Sequence, residues 1–463
     1  MKTKHYLLAV AFALCALPGM AQGGIDDMMM QTLRNSCKHT PEEKALRNAL
    51  AGTDIQKLAV NAEVSNEVDG YFSHRVPTRG ITDQRSSGRC WLFTGLNVMR
   101  ARVISEYNLP ELEFSQAYLF FYDQLEKSNL FLQCVIDTRN RPFDDRQVEW
   151  LFQNPLSDGG QFTGVSDLVG KYGLVPKGVM NETFSTENTT RMAFLLKLKL
   201  REFGLQLRAL PAKTKAADIE RQKTEMLSTI YRMLSLMIGE PPVEFTWTRK
   251  DAQGNPVETK SYTPKSFYDE YVGKDLTGDY VMLMNDPTRP YYKLYEIDCD
   301  RHVYDGYNWT YINLPVEDIK EVAIASIKDS TAMYFSCDVM KCLDSSKGTL
   351  DIDNYDYESL MGTTFGMDKK QRIQTFASGS SHAMTLMAVD LDDEGAPRKW
   401  LLENSWGPAS GYKGHLIMTD RWFDEYMFRV VAEKKYVPQR ILDILRQKPE
   451  RLPAWDPMFS EDE

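Results

Sequence analysis

Gln84-Arg85-Ser86-Ser87-Gly88-Arg89-Cys90-Trp91 is the stretch on which the reading of this chain turns. A polar, glycine-containing loop runs into Cys90, and Trp91, Phe93, Leu96 and Met99 then recur at helical spacing to about Glu106. The loop therefore delivers a sulfur to the first turn of an apolar helix. Unpaired amides and the helix dipole favour an anion there, so the setting predicts a lowered thiol pKa. Gln84, earlier on the loop, has a side-chain amide placed to donate to a developing oxyanion together with the Cys90 backbone amide. A lone cysteine is ordinarily core packing; this setting sets Cys90 apart.

A nucleophilic sulfur needs a proton-transfer partner, because the leaving amine must be protonated. Of the 6 histidines, His5 lies in an N-terminal leader, His39 precedes a capping box, and His74 sits in a polar run before a proline. His302 and His415 lie in or beside presumed strands without an orienting residue near them in sequence. His382 differs. Ser380-Ser381-His382-Ala383 enters an apolar run ending at Asp390, residues 392–395 read as a turn, and Trp400-Leu401-Leu402-Glu403-Asn404 reads as the return strand. A hairpin centred on Asp393 sets Asn404 opposite His382. The Asn404 side-chain oxygen then fixes one ring nitrogen and leaves the other for the sulfur. Trp406 is placed to cover that contact from water. The candidate catalytic set is Cys90, His382, Asn404 and Gln84.

Outward from this centre, the chain is helical first and mostly β later. Thr40-Pro41-Glu42-Glu43 is a capping box opening a helix to about residue 50. Segments 113–127 and 148–152 read as helices, and 158–160 as a loop. A long helix is centred on 217–238, with Ile219, Met226, Ile230, Met233 and Met237 as its apolar face, a stripe that reads as core packing or a subunit contact. Strands are expected in 332–338, 382–391 and 398–404, with a helix over 317–329. The fold class is α+β, with a helical lobe and a β lobe. The expected division is a leader over 1–21, an N-terminal helical extension over 22–75 and a helical lobe with the nucleophile over 76–200. A helical insertion follows over 201–290, then a β lobe with His and Asn over 291–440 and a C-terminal arm over 441–463.

Lys2, Lys4 and His5, the apolar run from Tyr6 to Leu17, and small residues ending at Ala21 read as a secretory signal cleaved before Gln22. The run is too short to span a bilayer, so no membrane association is expected once the signal is removed. The product is expected outside the cytoplasm, periplasmic or secreted. A formal net charge of -10 without a long Lys/Arg run argues against a nucleic-acid partner. The scattered cysteines form no zinc ribbon, redox CxxC or disulfide framework, so no metal and no cofactor is expected.

Gln84, Cys90-Trp91, a later His382 and Asn404-Ser405-Trp406-Gly407 resemble papain-type cysteine peptidases. Gly88-Arg89 before the cysteine differs from the papain signature, and His382 lies about 290 residues beyond Cys90, roughly twice the papain spacing. Both departures point to one branch. Ser86-Ser87-Gly88-Arg89-Cys90-Trp91, Glu113-Phe114-Ser115-Gln116-Ala117-Tyr118, Asp158-Gly159-Gly160-Gln161 and Leu452-Pro453-Ala454-Trp455-Asp456-Pro457-Met458 resemble the bleomycin hydrolase and bacterial aminopeptidase C family, over essentially the whole chain after the signal. The resemblance implies a papain-like two-lobe core with a large helical insertion. It also implies a homohexamer with inward-facing sites, and a C-terminal arm whose terminal carboxylate, here Glu463, holds the free amino group of a peptide substrate. A carboxylate so placed pairs with an α-ammonium and blocks longer chains. The expected activity is an exported cysteine aminopeptidase acting through an acyl-enzyme. An endopeptidase or oligopeptidase whose acidic tail, Ser460-Glu461-Asp462-Glu463, does not gate the cleft is a second reading, and a non-catalytic oligomeric shell a third.

Overall fold

The alternation of buried side chains along the central strands explains the architecture. In the strand His382–Leu391, Ala383 packs into one hydrophobic core while Met384 and Leu386 pack into another. Neighbouring strands alternate likewise: Tyr334 on Met333–Cys337 joins the first core, and Met333, Phe335 and Cys337 the second. Successive strand side chains point to opposite faces, so strands that are buried throughout require cover on both sides. Our computed structural model describes residues 23–64 and 69–456. The expected signal segment and Glu463 lie outside the described residues.

One side of the sheet is covered by helices Cys90–Tyr107, Gln116–Thr138, Phe162–Tyr172, Thr189–Arg208 and Ala216–Ile238. On the last of these Ile219, Met226 and Ile230 are buried and Met233 and Met237 pack against the core from its edge, so the methionine stripe is packing. The other side is covered by helix Val316–Lys328, helix Asp420–Tyr426 and the turns around Ile441 and Ile444. This is the mixed α and β architecture expected. Helix Gln116–Thr138 runs well past the expected end at Lys127, because Phe131, Leu132 and Val135 continue its buried face.

Among the described residues the main sheet has 12 strands. Its centre runs Tyr280–Met284, Met427–Glu433, Met333–Cys337, His382–Leu391, Pro397–Glu403 and His415–Thr419, antiparallel throughout. At one end the short strand Glu450–Leu452 pairs in parallel with Lys293–Ile297. That pairing fixes the base of the C-terminal arm. Beyond it Trp455 lies under the Arg146 guanidinium and Asp456 is buried in an ion pair with Arg289. A separate hairpin pairs Phe245–Lys250 with Pro256–Tyr262, and its Phe245 and Tyr262 pack into the helical-side core.

Candidate active site

The helix Cys90–Tyr107 begins at Cys90, and its N-cap, Arg89, makes no side-chain cap bond. Its first amides are therefore open to an incoming anion or sulfur. The loop before it is held at almost every residue. Gly88 N–H donates to Asp158 Oδ2 at 2.8 Å, a close approach in which a Cβ on Gly88 would lie 2.5 Å from Asp158 Oδ1. The Ser87 hydroxyl donates to the Gln84 carbonyl at 2.6 Å and accepts from Arg89 Nε at 3.1 Å. The departure Gly88-Arg89 thus has a physical reason. Arg89 is fully buried against the rings of Phe93 and Phe120, and its charge is met by Glu182 Oε2 at 2.8 Å.

The second half of the site comes from the sheet. Asn404 Oδ1 accepts from His382 Nε2 at 2.8 Å, which leaves Nδ1 as the free ring nitrogen. Trp406 lies over the imidazole with ring centroids 4.9 Å apart. The hairpin register differs from the expected one. It pairs Thr385 with Glu403 and carries a bulge between Leu386 and Ala388, so a direct continuation sets His382 against Trp406 rather than Asn404. The chain leaves the ladder at Asn404, and the side chain, not the strand register, closes the contact.

The two halves meet through paired backbone and side chains. Gln84 N–H donates to the Ser405 carbonyl at 2.8 Å, and Gly407 N–H to the Thr82 carbonyl at 3.0 Å. Ser405 N–H donates to Asn404 Oδ1 at 2.8 Å, while its hydroxyl donates to Gln84 Oε1 at 2.6 Å. With its oxygen occupied, the Gln84 amide presents only nitrogen-bound protons elsewhere, one of them to the Ser87 carbonyl at 2.7 Å. Deeper down, Arg100 on the nucleophile helix meets Glu403, the residue before Asn404, at 2.5 Å with both side chains buried. The backbone amides of Ala383, the residue after His382, and of Trp91 lie close enough to the sulfur to favour its anion. Cys90, His382, Asn404, Gln84 and Trp406 are therefore brought together at one junction.

The electrostatics depart from the expectation of a lowered thiol pKa. Burial pushes the Cys90 thiol up to about 11, outweighing the Ala383 and Trp91 amides that pull the other way, although part of the residue surface stays exposed. Burial likewise lowers His382 to about 4, against the Asn404 bond that favours its charged form. Both groups are held uncharged when each is ionised alone. Transfer of the proton from sulfur to imidazole creates two opposite charges at once and leaves the net charge of the pair unchanged.

One histidine was misjudged from sequence. His302 Nδ1 lies 2.6 Å from Asp123 Oδ1, and its ring packs on Trp91 with centroids 4.7 Å apart. Lys127 joins Asp123 at 3.1 Å and donates to the carbonyls of Ser157 and Gly159. This buried cluster supports the loop 158–160, where a Cβ on Gly160 would lie 2.3 Å from the His302 ring. Asp123 stands far from His302 in sequence, which is why no orienting residue was visible. His415 Nδ1 is satisfied by the Lys413 carbonyl at 3.0 Å. Among the described residues no cluster of His, Cys, Asp and Glu is arranged to hold a metal ion.

A helix that begins at Cys90, set against a sheet that presents the His382–Asn404 pair, is the arrangement expected of a papain-like cysteine peptidase. The family model of the Peptidase C1-like family matches residues 24–459, and the chain belongs to that family. Similar proteins include human bleomycin hydrolase, 39% identical over 453 residues, covering 95% of this chain and 99% of that protein. Aminopeptidase C of Lactobacillus delbrueckii subsp. lactis is 38% identical over 430 residues, covering 92% and 95%. The crystal structure of PepW from Lactobacillus rhamnosis superposes with a TM-score of 0.91 at 37% identity, covering 95% of this chain and 99% of that one. The chain is accordingly a cysteine-type peptidase of the bleomycin hydrolase and aminopeptidase C group.

Proposed function

We propose that this protein is an exported cysteine aminopeptidase that removes N-terminal residues from short peptides through an acyl-enzyme on Cys90. The observation that carries the reading is the junction itself: the amide of Ala383, which favours the Cys90 anion, follows directly on an imidazole oriented by Asn404. In this reading the free ring nitrogen of His382 takes the thiol proton as the sulfur attacks the scissile carbonyl. His382 then gives that proton to the leaving amine, and water repeats the sequence on the thioester. The Gln84 amide and the Cys90 N–H receive the oxyanion. Asn404 keeps the imidazole in register without adding a charge, and Trp406 shields that bond.

Aminopeptidase selectivity in this reading comes from the C-terminal arm. Its base is held by the Glu450–Leu452 strand and the Asp456–Arg289 ion pair, and Glu463 is the residue assigned to the substrate's α-ammonium. Export rests on Lys2, Lys4, the apolar run and Ala21. Among the described residues no helix is long and apolar enough to cross a membrane. Assembly as a homohexamer accords with the exposed Phe194, Leu195, Leu198 and Leu205 on helix Thr189–Arg208, an apolar row that a second copy would cover.

Intact-mass spectrometry after mixing with a slowly deacylated activated ester tests the proposal. A single acyl adduct that maps to Cys90 and is absent from Cys90→Ala is expected. An adduct on another cysteine, or full peptidase activity in Cys90→Ala, overturns it.

A further inference from the structure

Three arginines are buried among the described residues: Arg89, Arg100 and Arg429. The first two follow the rule for buried charge, each meeting a glutamate, at 2.8 Å and 2.5 Å. Arg429 does not. No ion pair reaches its guanidinium among the described residues, and its Nε, like that of Arg100, is buried without a hydrogen-bond partner. Its neighbour is an aromatic face: the guanidinium carbon lies 4.4 Å from the centroid of the Trp309 ring.

The position of this cation is as telling as its isolation. Arg429 stands on the strand Met427–Glu433, opposite Ser336, just past a bulge. The same neighbouring strand pairs Cys337 with His382 on its far side. Trp309 and the flanking Phe428 belong to the core on the helical face of the sheet, where the nucleophile helix packs. Ser336 pairs with Arg429 on one side and with Ala383, the residue after His382, on the other, which carries Arg429 to the Cys90 junction, where its charge favours the sulfur anion. A guanidinium with no hydrogen-bonded anion of its own beside a nucleophile is an anion receptor, and its planar fork suits a carboxylate.

We propose that Arg429 is a carboxylate-binding residue beside Cys90 and thereby a specificity determinant of this enzyme. The inference rests on the reading of Cys90 as nucleophile. Two sources carry the same chemistry. One is an acidic side chain of the peptide substrate. The other is the chain's own acidic end, Glu461, Asp462 and Glu463. Asp456 is anchored at Arg289, and Tyr311 feels the charges of both Arg289 and Arg429. The sequence continues for seven residues past Asp456 and carries three acidic ones, Glu461, Asp462 and Glu463.

The test compares full-length protein, Arg429→Met, Arg429→Lys, a chain ending at Met458, and that shortened chain carrying Arg429→Met. Substrates are peptide pairs differing only by Glu or Gln next to the scissile bond. A peptide carboxylate at Arg429 predicts that the Glu-to-Gln ratio of kcat/KM falls at least tenfold in Arg429→Met and less in Arg429→Lys, whatever the length of the tail. A tail carboxylate predicts that Arg429→Met and tail removal shift kcat/KM on the Gln peptides by the same factor, with no further shift when combined. Where Arg429→Met does not fold, Arg429→Lys carries the same comparisons with smaller changes. Glu and Gln peptides changing by one common factor, with tail removal acting independently, overturns the proposal. Activity on Gln peptides in these variants that is abolished by adding Cys90→Ala shows that the Cys90 reading stands even where this one fails.

Discussion

The Ser405 hydroxyl donates to Gln84 Oε1 at 2.6 Å while the Ser405 backbone amide holds Asn404 Oδ1 at 2.8 Å. One residue therefore orients the side chain assigned to the oxyanion and the side chain assigned to the imidazole. Ser405→Ala leaves the Gln84 oxygen without its donor in a buried site, a loss of about 1–3 kcal/mol. We expect kcat to fall roughly tenfold with KM little changed, and Gln84→Ala to lower kcat by about 10²–10³. Steady-state kinetics on one dipeptide substrate checks both. A Ser405→Ala enzyme changed only in KM would contradict the assignment.

Burial holds His382 neutral down to about 4. The ordinary histidine value is about 6.5. Protonating His382 removes the base, so activity persists through pH 5–6 and falls along an acid limb centred near 4. The same shift bears on stability with a defined sign. Between these two values the unfolded chain binds a proton that the folded chain does not. The contribution of His382 to stability is therefore complete above about pH 6.5 and lost as pH falls toward 4. A pH profile of kcat/KM for the free enzyme measures the limb, and a midpoint near 6.5 would refute the buried-neutral description.

The Arg100–Glu403 pair joins the nucleophile helix to the strand that ends at Asn404, with both side chains buried. Arg100→Met leaves a buried carboxylate alone and should cost about 3–5 kcal/mol. Adding Glu403→Gln to it should recover much of that loss. Urea unfolding of the wild type, the two single variants and the double variant reads the coupling. Additive effects would show that the pair does not act as a unit.

What the sequence revealed, and what it hid, follows from how each contact is encoded. That Cys90, Gln84, His382, Asn404 and Trp406 meet was legible because short local patterns carry them: a loop entering an apolar helix, and a hairpin with a polar turn. The hairpin still misled in detail, since its turn is centred on Glu394 rather than Asp393, and the side chain of Asn404 restores the contact. The thiol was misread because a helix N-terminus was weighed without the burial that the sheet imposes on it. Asp123 with His302, and Arg89 with Glu182, are pairs of residues far apart in the chain, and no periodicity marks them. Ser405 lay inside the quoted Asn-Ser-Trp-Gly segment; a small hydroxyl beside the orienting asparagine was the available signal. The arm strand Glu450–Leu452 is too short and too polar to register as a strand, and only its parallel partner defines it.

The central claim is that this cysteine peptidase works from free peptide N-termini. The most direct measurement is the ratio of kcat/KM for a short peptide with a free α-amine to that for its N-acetyl twin, with Cys90→Ala as the blank. A charge-assisted contact to the α-ammonium predicts a preference of at least about 10²-fold for the free amine, and no turnover of either in the blank. Equal cleavage of the two peptides by the wild type would contradict the account and leave an endopeptidase in its place.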